Sequence, residues 1–210
     1  MMTDELKHWD GVYDARAEDE LTWFEATPSV SLDLAQTYLD PGEAFIDVGA
    51  GASRLVDALL EAGLGPLAAL DLSDASLAVS RQRLGSQSDE VAWIEADVKR
   101  WQADREYAVW HDRAVFHFLT DAEDRAAYVH AMSRALRPGG IAIIATFAED
   151  GPEMCSGLSV VRYAPEALAE ELDRLHPGPF ELIDTRRHMH ITPKGNRQSF
   201  QYSVFRKKDS

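Results

Sequence analysis

The chain has 210 residues, 45% of them hydrophobic and 27% charged, enough for one well-cored domain spanning 1–210 with little left for a second. Its 36 acidic residues outweigh 21 basic ones for a formal charge of −15, and a surface that acidic repels phosphate backbones and anionic lipid heads, which disfavours general binding to nucleic acid or membrane. The lone cysteine, Cys155, excludes an internal disulfide, and a charged N-terminus without an apolar core segment or any run of about 18 apolar residues directs the expectation to the cytoplasm.

Residues 1–40 read as a helical N-terminal lid. Thr27-Pro28 is expected to start a helix with the proline at its first position, where a missing N–H costs nothing. Val30, Leu34 and Tyr38 follow at spacing four, and Asp40-Pro41-Gly42 ends the helix. From 45 to about 147, apolar runs alternate with amphipathic segments. Strands are expected near 45–48, 67–71, 91–95, 107–111 and 141–147, and helices near 53–62, 74–84 and 121–136. Thr120-x-x-Glu123 has the pattern of a capping box before the last of these helices, and Pro138-Gly139-Gly140 stops it. Beyond 150 come a loop, a helix from Pro165 to about Leu175, and two alternating runs, Phe180–Met189 and Gln198–Arg206, around Thr192-Pro193-Lys194-Gly195. The fold class expected is α/β: a doubly wound, mostly parallel seven-stranded sheet with a C-terminal antiparallel hairpin and helices on both faces. Residues 41–150 would form the binding core, and 151–210 a substrate loop, a helix and the terminal hairpin.

The most informative stretch is Phe45-Ile46-Asp47-Val48-Gly49-Ala50-Gly51-Ala52-Ser53-Arg54. An apolar run ends in an acid, and a glycine-rich turn then opens onto the helical pattern Leu55, Val56, Leu59 and Leu60, the geometry of a nucleotide-like site in an open α/β sheet. Arg54 stands where a dinucleotide fingerprint has its third glycine, which argues against NAD. Asp71 ends the second strand, where a carboxylate can accept both ribose hydroxyls, and Asp97 follows the third. Asp47, Asp71 and Asp97 are therefore expected to line one rim.

Asp47-Val48-Gly49-Ala50-Gly51, Asp71, Ala96-Asp97-Val98 and Leu136-Arg137-Pro138-Gly139-Gly140 before a strand together resemble the class I S-adenosylmethionine-dependent methyltransferases over roughly residues 40 to 150. The resemblance implies S-adenosyl-L-methionine as cofactor. Gly49 to Gly51 would pass under its methionine part, Asp71 would hold the ribose, and Asp97 with Val98 would bracket the adenine; Asp47, Ala50, Ser53 and Leu72 fall in the same site. Trp9-Asp10-x-x-Tyr13 and Trp23-Phe24 resemble elements of the same relatives, and Trp9, Tyr13 and Trp23 are expected over the cofactor, where a cation–π contact with a sulfonium is reasonable.

Methyl transfer needs an aligned nucleophile, exclusion of water and at times removal of a proton. Asp112-Arg113 resembles the pair found at this point in thiopurine-type and some protein-lysine methyltransferases. Asp112 would orient the nucleophile or take its proton, and Arg113 would hold an anionic substrate. His117 is a candidate base, although a histidine packed against a helix is the commoner outcome, and the same holds for His111. Cys155 is expected as a small loop residue near the substrate, and Tyr163, Gln201 and Tyr202 as further pocket residues. His188 and His190 share a strand face, but no carboxylate or cysteine completes a metal set nearby, so no metal is expected. The expected partner is a small-molecule acceptor, with protein lysine as the rival. An NAD-dependent oxidoreductase and a non-catalytic binding protein are the alternatives outside the class.

Overall fold

Thr3 caps the first helix, α1 (Asp4–Ala15), through an Oγ1 that accepts from the Leu6 N–H at 3.2 Å, yet this helix buries no residue. The computed structural model describes residues 3–209. A short 3-10 turn follows at Glu18–Glu20, and α2 (Ser29–Tyr38) begins one residue later than expected, with Pro28 in the cap position rather than the first turn. The core then alternates β1 (Phe45–Val48), α3 (Leu55–Glu61), β2 (Leu67–Asp71), α4 (Asp74–Leu84), β3 (Val91–Glu95), β4 (Tyr107–Arg113), α5 (Ala122–Ala135) and β5 (Leu136–Phe147). A two-residue pair, β6 (Met154–Cys155) and β7 (Leu158–Ser159), lies in the stretch read from sequence as a loop, and α6 (Pro165–Leu175), β8 (Phe180–Ile191) and β9 (Arg197–Lys207) complete the chain.

The seven long strands form one sheet in the order β3-β2-β1-β4-β5-β9-β8. All neighbours from β3 to β5 are parallel, and β9 inserts antiparallel between β5 and β8. Strand order reverses between β1 and β4, the switch point outside which open α/β sheets bind ligands.

Alternation along each strand divides the core between two faces. Phe45 and Val109 pack with Leu34 of α2, Leu55, Val56 and Leu59 of α3 and Leu77 of α4. Ile46, Val48 and Trp110 pack with Tyr128, Val129 and Met132 of α5 and Leu168 and Leu172 of α6. This is the expected helix layer on each face.

Two local expectations are corrected. The capping box at Thr120 does not form: Asp121 is the cap residue of α5, with extended φ −87° and ψ 137° and no side-chain cap bond, while the Arg125 guanidinium donates to the Leu119 and Thr120 carbonyls. Pro138-Gly139-Gly140 belongs to β5 rather than preceding it, in a stretch where the ladder with β4 shifts register between Tyr107 and Val109. Among the described residues, no helix is long and apolar enough to cross a membrane.

Candidate functional site

The turn after β1 sits at the switch point. Gly49 and Gly51 have φ of +68° and +48°, which side chains rarely adopt, and a Cβ would strike Val115 from the first and the Tyr13 hydroxyl from the second. Asp71, the last residue of β2, reaches across to this turn. Its Oδ2 accepts from the Gly51 N–H at 2.9 Å and its Oδ1 from the Ser73 N–H at 2.9 Å. Burial pushes the carboxyl up to about 6, against the lowering effect of bonds from Ser73, Ser76 and Gly51, with the charge of Asp47 adding to the rise. Asp97, two residues past β3, accepts from the Lys99 N–H at 3.0 Å.

These groups border a cavity of about 350 Å³, within the range of small-molecule sites. Gly49, Asp71, Leu72, Asp97 and Val98 line one end. Trp9, Tyr13 and Trp23 line it from the N-terminal segment. Trp9 meets Trp23 edge-on at 5.9 Å and Phe118 at 5.1 Å, and Tyr13 meets Trp23 at 6.0 Å. Polar tethers hold α1 across the opening: the Ser73 hydroxyl donates to Asp10 Oδ1 at 2.6 Å, and Lys99 Nζ donates to Glu5 Oε2 at 3.0 Å. Arg113, Cys155, Leu158, Ser159, Gln198 and Phe200 line the other end.

Several assignments need correction. Asp47 does not line this cavity with the other two acids. It is the third residue of a four-residue strand, so alternation turns it to the face opposite Val48, where Oδ1 accepts from His111 Nδ1 at 2.7 Å and His111 Nε2 accepts from the Ser31 hydroxyl at 2.9 Å. Ala50, Gly51 and Ser53 stand behind the cavity wall: Gly51 holds Asp71, and the Ser53 hydroxyl accepts from the Leu55 N–H at 3.1 Å. Asp112 also points away. Its Oδ1 accepts from the Val115 N–H at 2.7 Å, and its Oδ2 accepts from the Phe116 N–H at 3.0 Å and the Tyr128 hydroxyl at 2.6 Å. That carboxylate clamps the turn after β4 and does not line the cavity. Burial raises it to about 6, opposed by the Tyr128 hydroxyl and the two N–H groups.

His117 is fully buried, with Nδ1 accepting from the Phe147 N–H at 3.3 Å, and burial together with Arg113 lowers it to about 3. It is a neutral core histidine that does not border the cavity. Tyr202 and Gln201 serve the wall from outside it: the Tyr202 hydroxyl accepts from Arg113 Nε at 3.2 Å, and Gln201 donates to Thr146 at 2.8 Å. Tyr163 packs in the core against Phe116.

Arg113 does border the cavity, but it is not a loose anion hook. Its Nη1 donates to the Trp23 carbonyl at 3.0 Å, its guanidinium lies 4.7 Å from the Phe200 ring centre, and its Nη2 is 3.2 Å from Glu25 Oε1. Cys155 is buried in the wall, and burial pushes its thiol up to about 11, so it is a packing residue rather than a nucleophile.

Lys99 and Glu25 were missed. Lys99 is signalled by its place two residues after Asp97, whereas Glu25 meets its partners only through the fold. Glu25 overturns one expectation outright: its carboxylate completes a cluster with His188 and His190 where none was expected.

Residues 45–140 match a family model described as a methyltransferase domain. A ubiquinone biosynthesis O-methyltransferase of Alkalilimnicola ehrlichii is 30% identical over 105 residues, which are 50% of this chain and only 42% of that protein's length. Among solved structures, 1,6-didemethyltoxoflavin-N1-methyltransferase of Burkholderia thailandensis, with 1,6-didemethyltoxoflavin and S-adenosylhomocysteine bound, superposes with a TM-score of 0.74 at 22% identity, over 98% of this chain and 88% of that one. The N-methyltransferase NodS of Bradyrhizobium japonicum, in complex with S-adenosylhomocysteine, superposes at 0.70 with 12% identity, over 94% of this chain and 97% of that one. At those identities the two structures share the fold with this chain.

Proposed function

We propose that this chain, whose residues 45–140 match a family model described as a methyltransferase domain, is an enzyme that moves a methyl group from S-adenosyl-L-methionine to a heteroatom of a small-molecule acceptor. The observation that carries this reading is the continuity of one cavity from Asp71 and Asp97 to Arg113, Cys155 and Phe200. Asp71 offers a carboxylate for the ribose hydroxyls, Val98 and Leu72 flank the adenine end, and Trp9, Tyr13 and Trp23 cover the middle. One relative is named for ubiquinone biosynthesis and one neighbour for 1,6-didemethyltoxoflavin, which supports the same acceptor class.

S-adenosyl-L-methionine supplies a methyl group already activated by its sulfonium. The chain's residues align the acceptor and exclude water. The acceptor's lone pair forms the new bond to carbon as the carbon–sulfur pair returns to sulfur, and any proton on the acceptor leaves to solvent. The acceptor end presents Arg113, Cys155, Ser159 and Gln198, none of which is a base at neutral pH. The reading therefore favours an acceptor whose nucleophile is already electron-rich, such as an unprotonated nitrogen or an oxyanion. The protein-lysine reading rested on Asp112, which is occupied in the turn after β4.

The test is the melting temperature of the protein alone, with S-adenosylhomocysteine and with NAD. A ligand at about 100 times its dissociation constant adds about 2.7 kcal/mol. A rise with S-adenosylhomocysteine only is expected, and a rise with NAD only would overturn the assignment.

A further inference from the structure

Behind Arg113, on the side away from the cavity, Glu25, His188 and His190 converge. The two histidines are two residues apart on β8, so both rings leave the same face, with centroids 6.5 Å apart. Glu25 comes from the segment between α1 and α2. Its Oε1 is 3.0 Å from His188 Nε2 and 3.3 Å from His190 Nδ1.

The other nitrogen of His190 decides the chemistry. Nε2 lies 2.8 Å from the Thr22 carbonyl oxygen, which can only accept, so Nε2 carries the proton. Its Nδ1 faces the Glu25 carboxylate, with His190 3% exposed and the Arg113 guanidinium beside that carboxylate.

We propose that this is a divalent transition-metal site of the zinc class, with Glu25 Oε1, His188 Nε2 and His190 Nδ1 as ligands and a fourth position open to water past His188. All the ligand atoms lie within 4.8 Å of one another. A tetrahedral ion with bonds of about 2.0–2.1 Å holds neighbouring ligand atoms about 3.3–3.4 Å apart, close to the separations from Oε1 seen here. Two imidazoles and one carboxylate select zinc-like ions over calcium or magnesium. An outer layer is also built: Thr22 fixes the tautomer of His190, and the Arg113 guanidinium forms an ion pair with the ligating carboxylate at 3.2 Å. The charge on Arg113 weakens binding, so the site exchanges its ion rather than holding it permanently. Occupancy would tie the segment carrying Trp23 to the edge strand β8, directly behind the acceptor end of the cavity.

The experiment is titration of the full chain with Zn²⁺ alone by calorimetry at neutral pH, with Co²⁺ as the spectroscopic stand-in. One equivalent is expected, with a raised melting temperature and the intense visible bands of four-coordinate cobalt. His188→Ala and Glu25→Gln should each weaken binding by tenfold or more. His176→Ala, in the other histidine pair (His130–His176, 4.9 Å between ring centres), should leave it unchanged. Failure of the native chain to bind stoichiometrically, binding that survives His188→Ala, or a cobalt spectrum that stays that of the aquo ion would each overturn the site. The cobalt spectrum of the native chain decides the matter even where a variant fails to fold.

Discussion

Asp71 takes on two tasks with opposite pH dependence. Its folded carboxyl titrates near 6 against 3.8 for a free one, so between those values the folded chain binds a proton that the unfolded chain has released. For this residue alone, acidification from pH 6 toward 4 therefore favours folding. Cofactor binding goes the other way, because a protonated carboxyl loses its value as an acceptor of two hydroxyls. The affinity for S-adenosylhomocysteine, measured by calorimetry, should fall as pH drops through about 6. Asp71→Ala should weaken it by about 1.5–3 kcal/mol and remove that pH dependence. Unaltered binding in the variant would take the ribose away from Asp71. Asp112 has the same raised carboxyl but a structural setting. Asp112→Ala leaves the Val115 and Phe116 N–H groups and the Tyr128 hydroxyl without an acceptor, and should cost about 1.5–3 kcal/mol in urea unfolding. Intact stability with lost turnover would instead return Asp112 to the reaction.

Among the elements, α1 is the one whose role is separable from folding. It buries no residue and is held by Asp10–Ser73, Glu5–Lys99 and the edge-on contacts of Trp9. Two aromatic pairs supply roughly 1–3 kcal/mol to the closed arrangement, little of which the core needs. The double variant Trp9→Ala with Asp10→Ala should keep the melting temperature of the free protein nearly unchanged and weaken S-adenosylhomocysteine binding at least fivefold. A large loss of stability without ligand would mean that α1 belongs to the core. The elements themselves were legible because alternation of apolar runs, glycine turns and prolines are local signals; the seven long strands fell near where the pattern put them, with β5 starting five residues early, and the short β6–β7 pair carried no such signal. What was not legible was depth. Asp47 and Asp71 look alike in sequence and share a sheet face, Asp47 lying opposite Ala69 and Asp71 two residues further on, yet Asp47 stays inside the sheet against His111 while Asp71, at its strand's end, reaches the turn and the cavity. Thr120 and Asp121 likewise compete for one cap, and backbone geometry chose the second.

In the molecule as a whole, the sites differ in how far apart in the chain their parts lie. The cofactor end of the cavity is built from the turns after β1, β2 and β3, so its motif could be read almost in order. The cluster behind Arg113 joins Glu25 to His188 and His190 across most of the sequence, and no local pattern marks Glu25 as their partner. The acceptor end depends on β6, β7 and β9 meeting the N-terminal segment, which is why Phe200 and Gln198 were missed while Gln201 and Tyr202, facing elsewhere, were named. The cavity itself runs from Glu5 to Phe200, touching the first helix and the last strand. A molecule seated there closes a loop of nearly the entire chain without a covalent bond, as a crosslink would. Occupied protein should therefore resist proteases along its whole length, and the empty protein should be cut first in and just after α1, which buries no residue and loses its support from below, rather than at Thr22–Glu25, which stay tied to the sheet.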